Sequence, residues 1–139
     1  MIPTTQFLKT KNIRVTPQRI AVYKILKEAH KHLSVEEIHS RIKRTFPRVS
    51  LGTIYAILEF FKHKKLIQEI RIKHNKACFD IRTDLHPHFL CRKCGKIFDV
   101  IVPHCSILKD KKLNGHLIEN FQGYFYGICK WCAKGKKEK

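Results

Sequence analysis

The first half of the chain carries apolar residues at helical spacing. Thr16 followed by Pro17 has the form of an N-cap with proline in the first turn, and it predicts a helix over residues 17–29. Ser34 and Glu37 have the spacing of a capping box and open a second predicted helix, which should end near Phe46–Pro47. A third helix, capped by Ser50, is predicted over residues 50–64. Its apolar residues gather on one side: Ile54, Ile57, Leu58 and Phe61.

The periodicity changes beyond Lys65. Residues 66–72 partly alternate between apolar and polar, residues 74–76 interrupt, and residues 77–81 resume, which predicts a strand, a turn and a strand. Three short helices closed by a two-stranded hairpin describe a winged helix-turn-helix, in which the helix over residues 50–64 would enter the DNA major groove.

From residue 84 onward the pattern predicts a smaller α/β segment. Strands are expected at 88–92, at 96–102 and at about 117–128, with a short helix near 105–113 and turns or bulges at Asn114–Gly115 and Gln122–Gly123. The predicted class is therefore α+β. A winged-helix domain would occupy residues 1–82, and a small α/β domain would occupy residues 83–139.

The charge of the chain indicates a polyanionic partner. Lys plus Arg number 29 against 11 acidic residues, a formal net charge of +18, which favours double-stranded DNA. Solubility alone or an anionic membrane surface are the alternatives, but the basic residues are spread over several helices instead of forming one amphipathic stripe. The opening Met-Ile-Pro-Thr-Thr-Gln has no apolar signal segment and no apolar run approaches a membrane span, so a cytoplasmic protein is expected.

Two Cys-x-x-Cys pairs, Cys91/Cys94 and Cys129/Cys132, are separated by 34 residues. Four thiolates arriving as two knuckles can close a tetrahedron around Zn²⁺ with no other ligand, so a structural zinc site is predicted. A redox pair or a set of disulfides are the alternatives, and neither suits a chain without a secretory signal. Cys78 and Cys105 are then expected to be reduced and partly buried.

Oxygen and nitrogen donors around the first knuckle predict a second, different metal site. On a strand, residues two apart point to the same face, so His86 and His88 can present two imidazoles together. Asp99 and Asp80 can fold close to them if the knuckle doubles the chain back. Mixed imidazole and carboxylate donors suit Fe²⁺, Mn²⁺ or Zn²⁺, although a lone histidine is more often a packing or surface residue.

Five segments of the chain form a recognisable series: Thr16–Arg19, Ser50–Tyr55, Phe79–Asp80, His86–Lys96 and Tyr126–Cys132. In this order they resemble the motifs of the ferric uptake regulator (Fur) superfamily. The resemblance spans nearly the whole chain. It implies a homodimeric, metal-dependent repressor of bacterial type, with a winged-helix domain followed by a dimerisation domain that holds the four-cysteine zinc.

The resemblance also implies a regulatory Fe²⁺ or Mn²⁺ site that includes a residue from between two helices, His32. By position, the ligands would be His32, Asp80, His86, His88 and Asp99. One ion held by both halves would set the angle between them, and with it the separation of the two recognition helices in the dimer.

Within the superfamily the pattern is most similar to the peroxide-sensing branch. Asp99 stands where iron sensors commonly have Glu, and Asn120 and Phe121 lie near the position of an additional histidine in those sensors. Peroxide meeting bound Fe²⁺ would oxidise His32 or His86 to 2-oxo-histidine and release metal and DNA. Because a ligand is consumed, no enzyme is predicted. A regulator of iron, zinc or manganese uptake is the alternative; an unregulated zinc-ribbon nucleic-acid binder and a non-haem iron enzyme are less favoured.

The predicted DNA contacts lie on the first and third helices. They are Arg19, Ser50, Thr53 and Tyr55, with Tyr55 suited to a thymine methyl group and Arg19 to a phosphate. The chain departs from the family at Ala56–Ile57, where polar or basic residues are usual, so the operator sequence stays open.

Overall fold

The computed structural model describes residues 2–103 and 106–136 and divides into two units, Met1–Thr83 and Asp84–Lys139. Cys105, for which a reduced and partly buried thiol was expected, lies outside the described residues. Within the described residues, no helix is both long enough and apolar enough to cross a bilayer.

The described part of unit 1 contains four helices, α1 Thr4–Thr10, α2 Pro17–Glu28, α3 Val35–Ile42 and α4 Leu51–His63. The last three are the predicted helices, and each begins at its predicted cap. The Thr16 side chain accepts from the Arg19 N–H, the Ser50 side chain accepts from the Thr53 N–H, and Ser34 with Glu37 completes a capping box. The cap residues therefore set where these helices start.

Two features of the helical part differ from the prediction. Helix α1 was not predicted, since it has no side-chain cap and only Thr4 and Leu8 are buried along it. Helix α3 ends at Ile42 and not near Phe46–Pro47. The N–H groups of Thr45 and Phe46 both donate to the Ile42 carbonyl and form a turn there. Proline at 47 also disfavours helical backbone at the residue before it.

The sheet of unit 1 has three antiparallel strands, β1 Leu33–Ser34, β2 Gln68–Lys73 and β3 Lys76–Asp80, in the order β1-β3-β2. Strands β2 and β3 form the predicted hairpin. Strand β1 was not predicted, because two residues are too short to show any alternation. It pairs Leu33 with Phe79 and Ser34 with Cys78, so it attaches the start of α3 to the hairpin.

Helix α4 has one face buried in the core of unit 1 and one face exposed to solvent. All four apolar residues predicted for its inner face are buried, and Phe61 meets the Tyr23 ring edge-on at a centroid distance of 5.9 Å. On the outer face Tyr55 is 46% exposed and Ala56 is exposed. Helices closed by a hairpin, with one helix face left to solvent, form a winged helix-turn-helix.

Unit 2 is built from short elements. In chain order they are β4 His88–Cys91, β5 Ile97–Asp99, α5 Ile107–Asp110, β6 Lys112–Leu113, β7 His116–Leu117, β8 Tyr124–Gly127 and α6 Lys130–Ala133. One sheet has the order β5-β4-β8, with β4 antiparallel to β5 and parallel to β8, and a second sheet pairs β6 with β7.

The prediction of one long strand over residues 117–128 is wrong. The chain changes pairing partner within it, since β7 pairs with β6 whereas β8 pairs with β4. The strand predicted at 96–102 ends at Asp99, and the predicted helix is a single turn. The turn at Asn114–Gly115 is confirmed, with φ of 49° and 81°, the left-handed region that Asn and Gly tolerate.

The capping box at α3 yields a test of the local stability. Ser34→Ala removes the oxygen that accepts from the Glu37 N–H at 3.3 Å. It should lower the free energy of unfolding by about 1 kcal/mol, the usual effect of a lost N-cap. Urea unfolding of the zinc-loaded protein, followed by helical circular dichroism, measures this. Ser40→Ala, at an exposed position of the same helix, is the control and should change little; equal losses in both variants would contradict a capping role.

Candidate metal centres

The four predicted zinc ligands lie together in unit 2. The sulfur atoms of Cys91, Cys94, Cys129 and Cys132 are all within 4.8 Å of one another, and those of Cys94 and Cys129 are 3.9 Å apart. Tetrahedral Zn²⁺ with bonds of about 2.3 Å places its sulfurs about 3.8 Å apart. A disulfide would bring two sulfurs to roughly 2 Å, and these cysteines are free thiols. The cluster therefore has the dimensions of a structural zinc site.

The parallel pairing of β4 with β8 brings the two knuckles together. Cys91 ends β4 and pairs with Gly127, the last residue of β8, so both Cys-x-x-Cys segments leave the same edge of the sheet. The first knuckle turns through Gly95, whose φ of 72° lies in the left-handed region and whose N–H donates to the Cys91 carbonyl. Cys132 lies in α6, which the sequence did not predict.

Backbone donors prepare the Cys91 sulfur to be a thiolate. Burial opposes its ionisation, but N–H groups of the two knuckles, including Cys129 at 3.3 Å and Cys94 at 3.5 Å, outweigh burial and lower the pKa of Cys91 to about 6. Burial and the three neighbouring sulfurs raise the pKa of Cys132 to about 12. Four thiolates so close together need a cation to offset their charge, and zinc supplies it.

A second cluster in unit 2 joins His86, His88 and Asp99. Antiparallel pairing of β4 with β5 sets His88 directly opposite Asp99. The Asp99 Oδ1 atom lies 3.3 Å from His86 Nε2 and 3.4 Å from His88 Nε2. The two imidazoles are nearly buried, with side-chain exposures of 6% and 4%, and their ring centroids are 4.4 Å apart. The two imidazoles lie together as expected from the sequence, although His86 precedes β4 and only His88 is paired across the strands.

The hydrogen bonding of His86 leaves its second nitrogen able to bind a metal. His86 Nδ1 lies 2.7 Å from the Asp84 carbonyl oxygen, which can only accept, so Nδ1 carries the proton. In a neutral ring the Nε2 lone pair then faces the Asp99 carboxylate oxygen. Ligand histidines are commonly fixed in this tautomer by a carbonyl on the other ring nitrogen. A single metal ion with metal–ligand bonds near 2.1 Å places its ligand atoms about 3 Å apart, which is close to the separations of these nitrogen and oxygen atoms.

In unit 1, His32 and Asp80 meet each other. The His32 Nε2 and Asp80 Oδ2 atoms are 3.3 Å apart, and both side chains are 8% exposed. His32 directly precedes β1 and Asp80 ends β3, so the register of Leu33 with Phe79 continues to this pair. The Arg82 N–H donates to Asp80 Oδ1 at 2.9 Å, which leaves Oδ2 toward the imidazole. The unpredicted strand β1 is therefore the element that positions His32.

The predicted DNA-contact residues occupy one end of α4 and the first turn of α2. The Ser50 and Thr53 hydroxyls are 2.9 Å apart at the N-terminus of α4. The Arg19 guanidinium lies over the Phe60 ring at 4.0 Å and donates from Nη1 to the Arg14 carbonyl. Ile57 is a core residue, so only Ala56 of the divergent pair lies on the exposed face.

The sequence profile of the ferric uptake regulator family matches residues 10–122. The chain is also 33% identical over 131 residues to the peroxide-responsive repressor PerR of Staphylococcus epidermidis, covering 91% of this chain and 86% of that protein. The chain belongs to the ferric uptake regulator family. Members of this family are transcriptional regulators, so the chain is a regulator and not an enzyme.

Solved structures agree in fold. The crystal structure of the Campylobacter jejuni peroxide stress regulator has a TM-score of 0.69 at 34% identity, covering 91% of this chain and 97% of that one. The Helicobacter pylori ferric uptake regulator Fur has a TM-score of 0.72 at 25% identity, covering 96% and 90%, and its structure reveals three functional metal binding sites. The winged-helix class with a four-cysteine cluster is thereby confirmed.

Removing one zinc ligand should unfold unit 2. Apparent zinc-binding energies of such sites are about 10 to 16 kcal/mol near neutral pH, so Cys91→Ser should lose stoichiometric zinc and leave the C-terminal unit disordered or the protein monomeric. Metal analysis per chain and size-exclusion chromatography measure both effects. Cys78→Ala, at a buried cysteine of unit 1, is the control and should retain zinc. A zinc-free, folded dimer of the Cys91 variant would contradict the structural role.

Proposed function

We propose that this protein is a cytoplasmic, homodimeric, metal-dependent repressor that responds to peroxide. Its similarity to PerR and to the Campylobacter peroxide stress regulator, each at 33% identity or more over most of the chain, supports this function. The winged helix-turn-helix of unit 1 supports DNA as the target. Residues Ser50, Thr53 and Tyr55 at the start of α4 would meet the operator, and Arg19 would bind a phosphate.

A single Fe²⁺ or Mn²⁺ would be held jointly by the two units. Unit 1 supplies the His32–Asp80 pair and unit 2 supplies His86, His88 and Asp99. Neither set fills a coordination shell alone, whereas five mixed nitrogen and oxygen donors suit Fe²⁺ or Mn²⁺ and leave a position open to a small molecule. Four of the five side chains are at most 8% exposed, and Asp99 is 30% exposed. The burial of these four supports the assignment, since buried ionisable groups in proteins are usually paired or bound to metal.

Joint coordination would couple metal binding to DNA binding. With both units on one ion, the dimer would favour the arrangement in which its two α4 helices fit the operator. The coupling is a population shift, and it is reciprocal: the operator raises the affinity for the metal by the same free energy that the metal contributes to operator binding.

Peroxide would act on the ligand histidines. A bound Fe²⁺ would catalyse cleavage of the peroxide oxygen–oxygen bond, with peroxide as the net two-electron oxidant and the histidine ring as the net reductant. His32 or His86 would gain one peroxide oxygen on the ring carbon between its two nitrogens, and the second peroxide oxygen would leave as water. The oxidised ring is a poorer ligand, because its nitrogens no longer offer the imidazole lone pair. The two units would then separate from the ion, and the operator-binding arrangement would be lost.

A metal-uptake regulator is the second candidate. The similarity to the Helicobacter pylori ferric uptake regulator over 96% of the chain supports it. Both functions share the DNA-binding unit and the zinc site, so only the response to peroxide separates them.

His32→Ala tests the joint site. The variant should keep one zinc per chain and remain dimeric, because His32 is outside the cysteine cluster, but it should lose manganese-dependent binding to operator DNA. The operator is a duplex selected from a random-sequence pool with the manganese-loaded protein, and binding is measured by fluorescence anisotropy with and without Mn²⁺.

His30→Asn provides the matched control for this variant. His30 is exposed two residues away, with φ of 48°, a conformation that Asn tolerates. The control should bind as the unmodified protein does. Unchanged metal dependence in His32→Ala would contradict the joint site.

Peptide mass mapping separates the two candidate functions. The Fe²⁺-loaded protein treated with peroxide should gain one oxygen on the peptide that contains His32 or His86, and operator binding should fall in parallel. The Mn²⁺-loaded protein, which does not reduce peroxide in this way, should gain none. An Fe²⁺-loaded protein that keeps both peptides unmodified, yet still binds the operator, would favour the uptake regulator.

A further inference from the structure

Basic residues surround the zinc knuckles of unit 2. The zinc-knuckle basic face consists of Arg92, Lys93, Lys130, Lys134 and Lys136, all of them exposed. No acidic residue occurs in residues 89–98 or 120–136, the two segments that carry the knuckles. Within residues 2–103 and 106–136, none of the five side chains forms an ion pair.

The cysteine cluster brings these residues onto one part of the unit. Arg92 and Lys93 lie between two cysteines of the first knuckle, and Lys130 lies between those of the second. All four sulfurs are within 4.8 Å of one another. The chain after α6 also stays close, because the Gly135 N–H donates to the Cys132 carbonyl at 3.2 Å and the Lys136 N–H donates to the Trp131 carbonyl at 2.9 Å.

The zinc site offsets only part of this charge. A Zn²⁺ ion with four thiolates has a formal charge of roughly −2, which leaves the five cations in clear excess. The excess positive charge is therefore local to the zinc knuckles. The backbone hydrogen bonds after α6 keep the segment that carries Lys134 and Lys136 close to them. Such a surface attracts a polyanion by its potential, and it binds one by releasing that polyanion's counterions.

The aromatic residue within this face is not arranged as a membrane anchor. Trp131 stacks on Phe98 at a centroid distance of 5.2 Å, and Lys130 Nζ lies over its ring at 4.6 Å. An interfacial anchor would instead present its ring to the lipid. The observations therefore favour the phosphate backbone of DNA over a lipid surface.

We propose that the zinc-knuckle basic face is a second DNA-contact surface, separate from α4, which binds backbone phosphates without reading sequence. This inference rests on the proposed function as a DNA-binding regulator. It assigns the four-cysteine site a second role beyond holding unit 2 together, which is to present a cationic surface. The contact raises affinity for any duplex and contributes to the salt dependence of binding.

The test removes three charges from this face in the full-length, zinc-loaded and manganese-loaded protein. The variant is Lys130→Gln/Lys134→Gln/Lys136→Gln, and the probe is a double-stranded DNA of random sequence titrated at several salt concentrations. Each lost phosphate contact lowers the magnitude of the slope of log affinity against log salt by about 0.9, so this magnitude should fall by up to about 2.7 for each chain that contacts the DNA.

The matched control removes the same charge from the same unit. Lys109→Gln/Lys111→Gln/Lys112→Gln changes three exposed lysines around α5 and β6. This control should keep the slope of the unmodified protein, and zinc content per chain should be the same in all three proteins.

Three outcomes would overturn the proposal. An unchanged slope in the knuckle variant would show that the face does not touch DNA, and an equal fall in both variants would show a general effect of net charge. A loss of binding to phosphatidylserine vesicles with an unchanged DNA slope would assign the face to a membrane surface. A separate measurement tests the proposed function: manganese-dependent operator binding should persist in the knuckle variant. If the unmodified protein showed no metal dependence while the slopes still differed, the proposed function would fail and this inference would stand.

Discussion

Metal coordination takes the place of a hydrophobic core in unit 2. In the described part of this unit the buried residues are His86, Pro87, His88, Cys91 and Cys129. All but the proline are metal-ligand residue types, and they lie where β4 meets β5 and β8. Small domains bury so little apolar surface that their stability is marginal, and a metal often compensates. Strand β4 pairs with β8 at the cysteine cluster and with β5 where His88 lies opposite Asp99, so both clusters depend on the same strand.

Unit 1 has the opposite construction, with an extensive apolar core beneath α4. Its inner residues fix the helix against α2 and α3, while the outer face stays available for a partner. The Lys62 ammonium lies 2.8 Å from carboxylate oxygens of both Glu59 and Glu69, and so ties the end of α4 to strand β2. The reading helix and the hairpin are thereby held as one piece, which suits a module that must present both to a duplex.

Unit 2 leaves several large apolar residues exposed. Ile101 is 91% exposed, Leu117 is 76% exposed, and Phe125, Tyr126 and Ile128 are each about half exposed. Large exposed apolar side chains in one small unit are typical of a protein interaction surface. Unit 2 therefore combines a cysteine cluster with an exposed apolar surface, whereas unit 1 has a conventional apolar core.

Local patterns in the sequence were sufficient for much of this protein. Caps with a fixed spacing located three helices, alternation located the hairpin, and two Cys-x-x-Cys pairs identified the zinc site. Each of these signals lies within a few residues of chain, because helix starts and metal knuckles depend on near neighbours. Only the tertiary structure decided the remainder. A two-residue strand brings His32 to Asp80, and a change of pairing partner splits the strand predicted over residues 117–128. Both depend on contacts between residues far apart in the chain, and neither leaves a periodic pattern that could be detected.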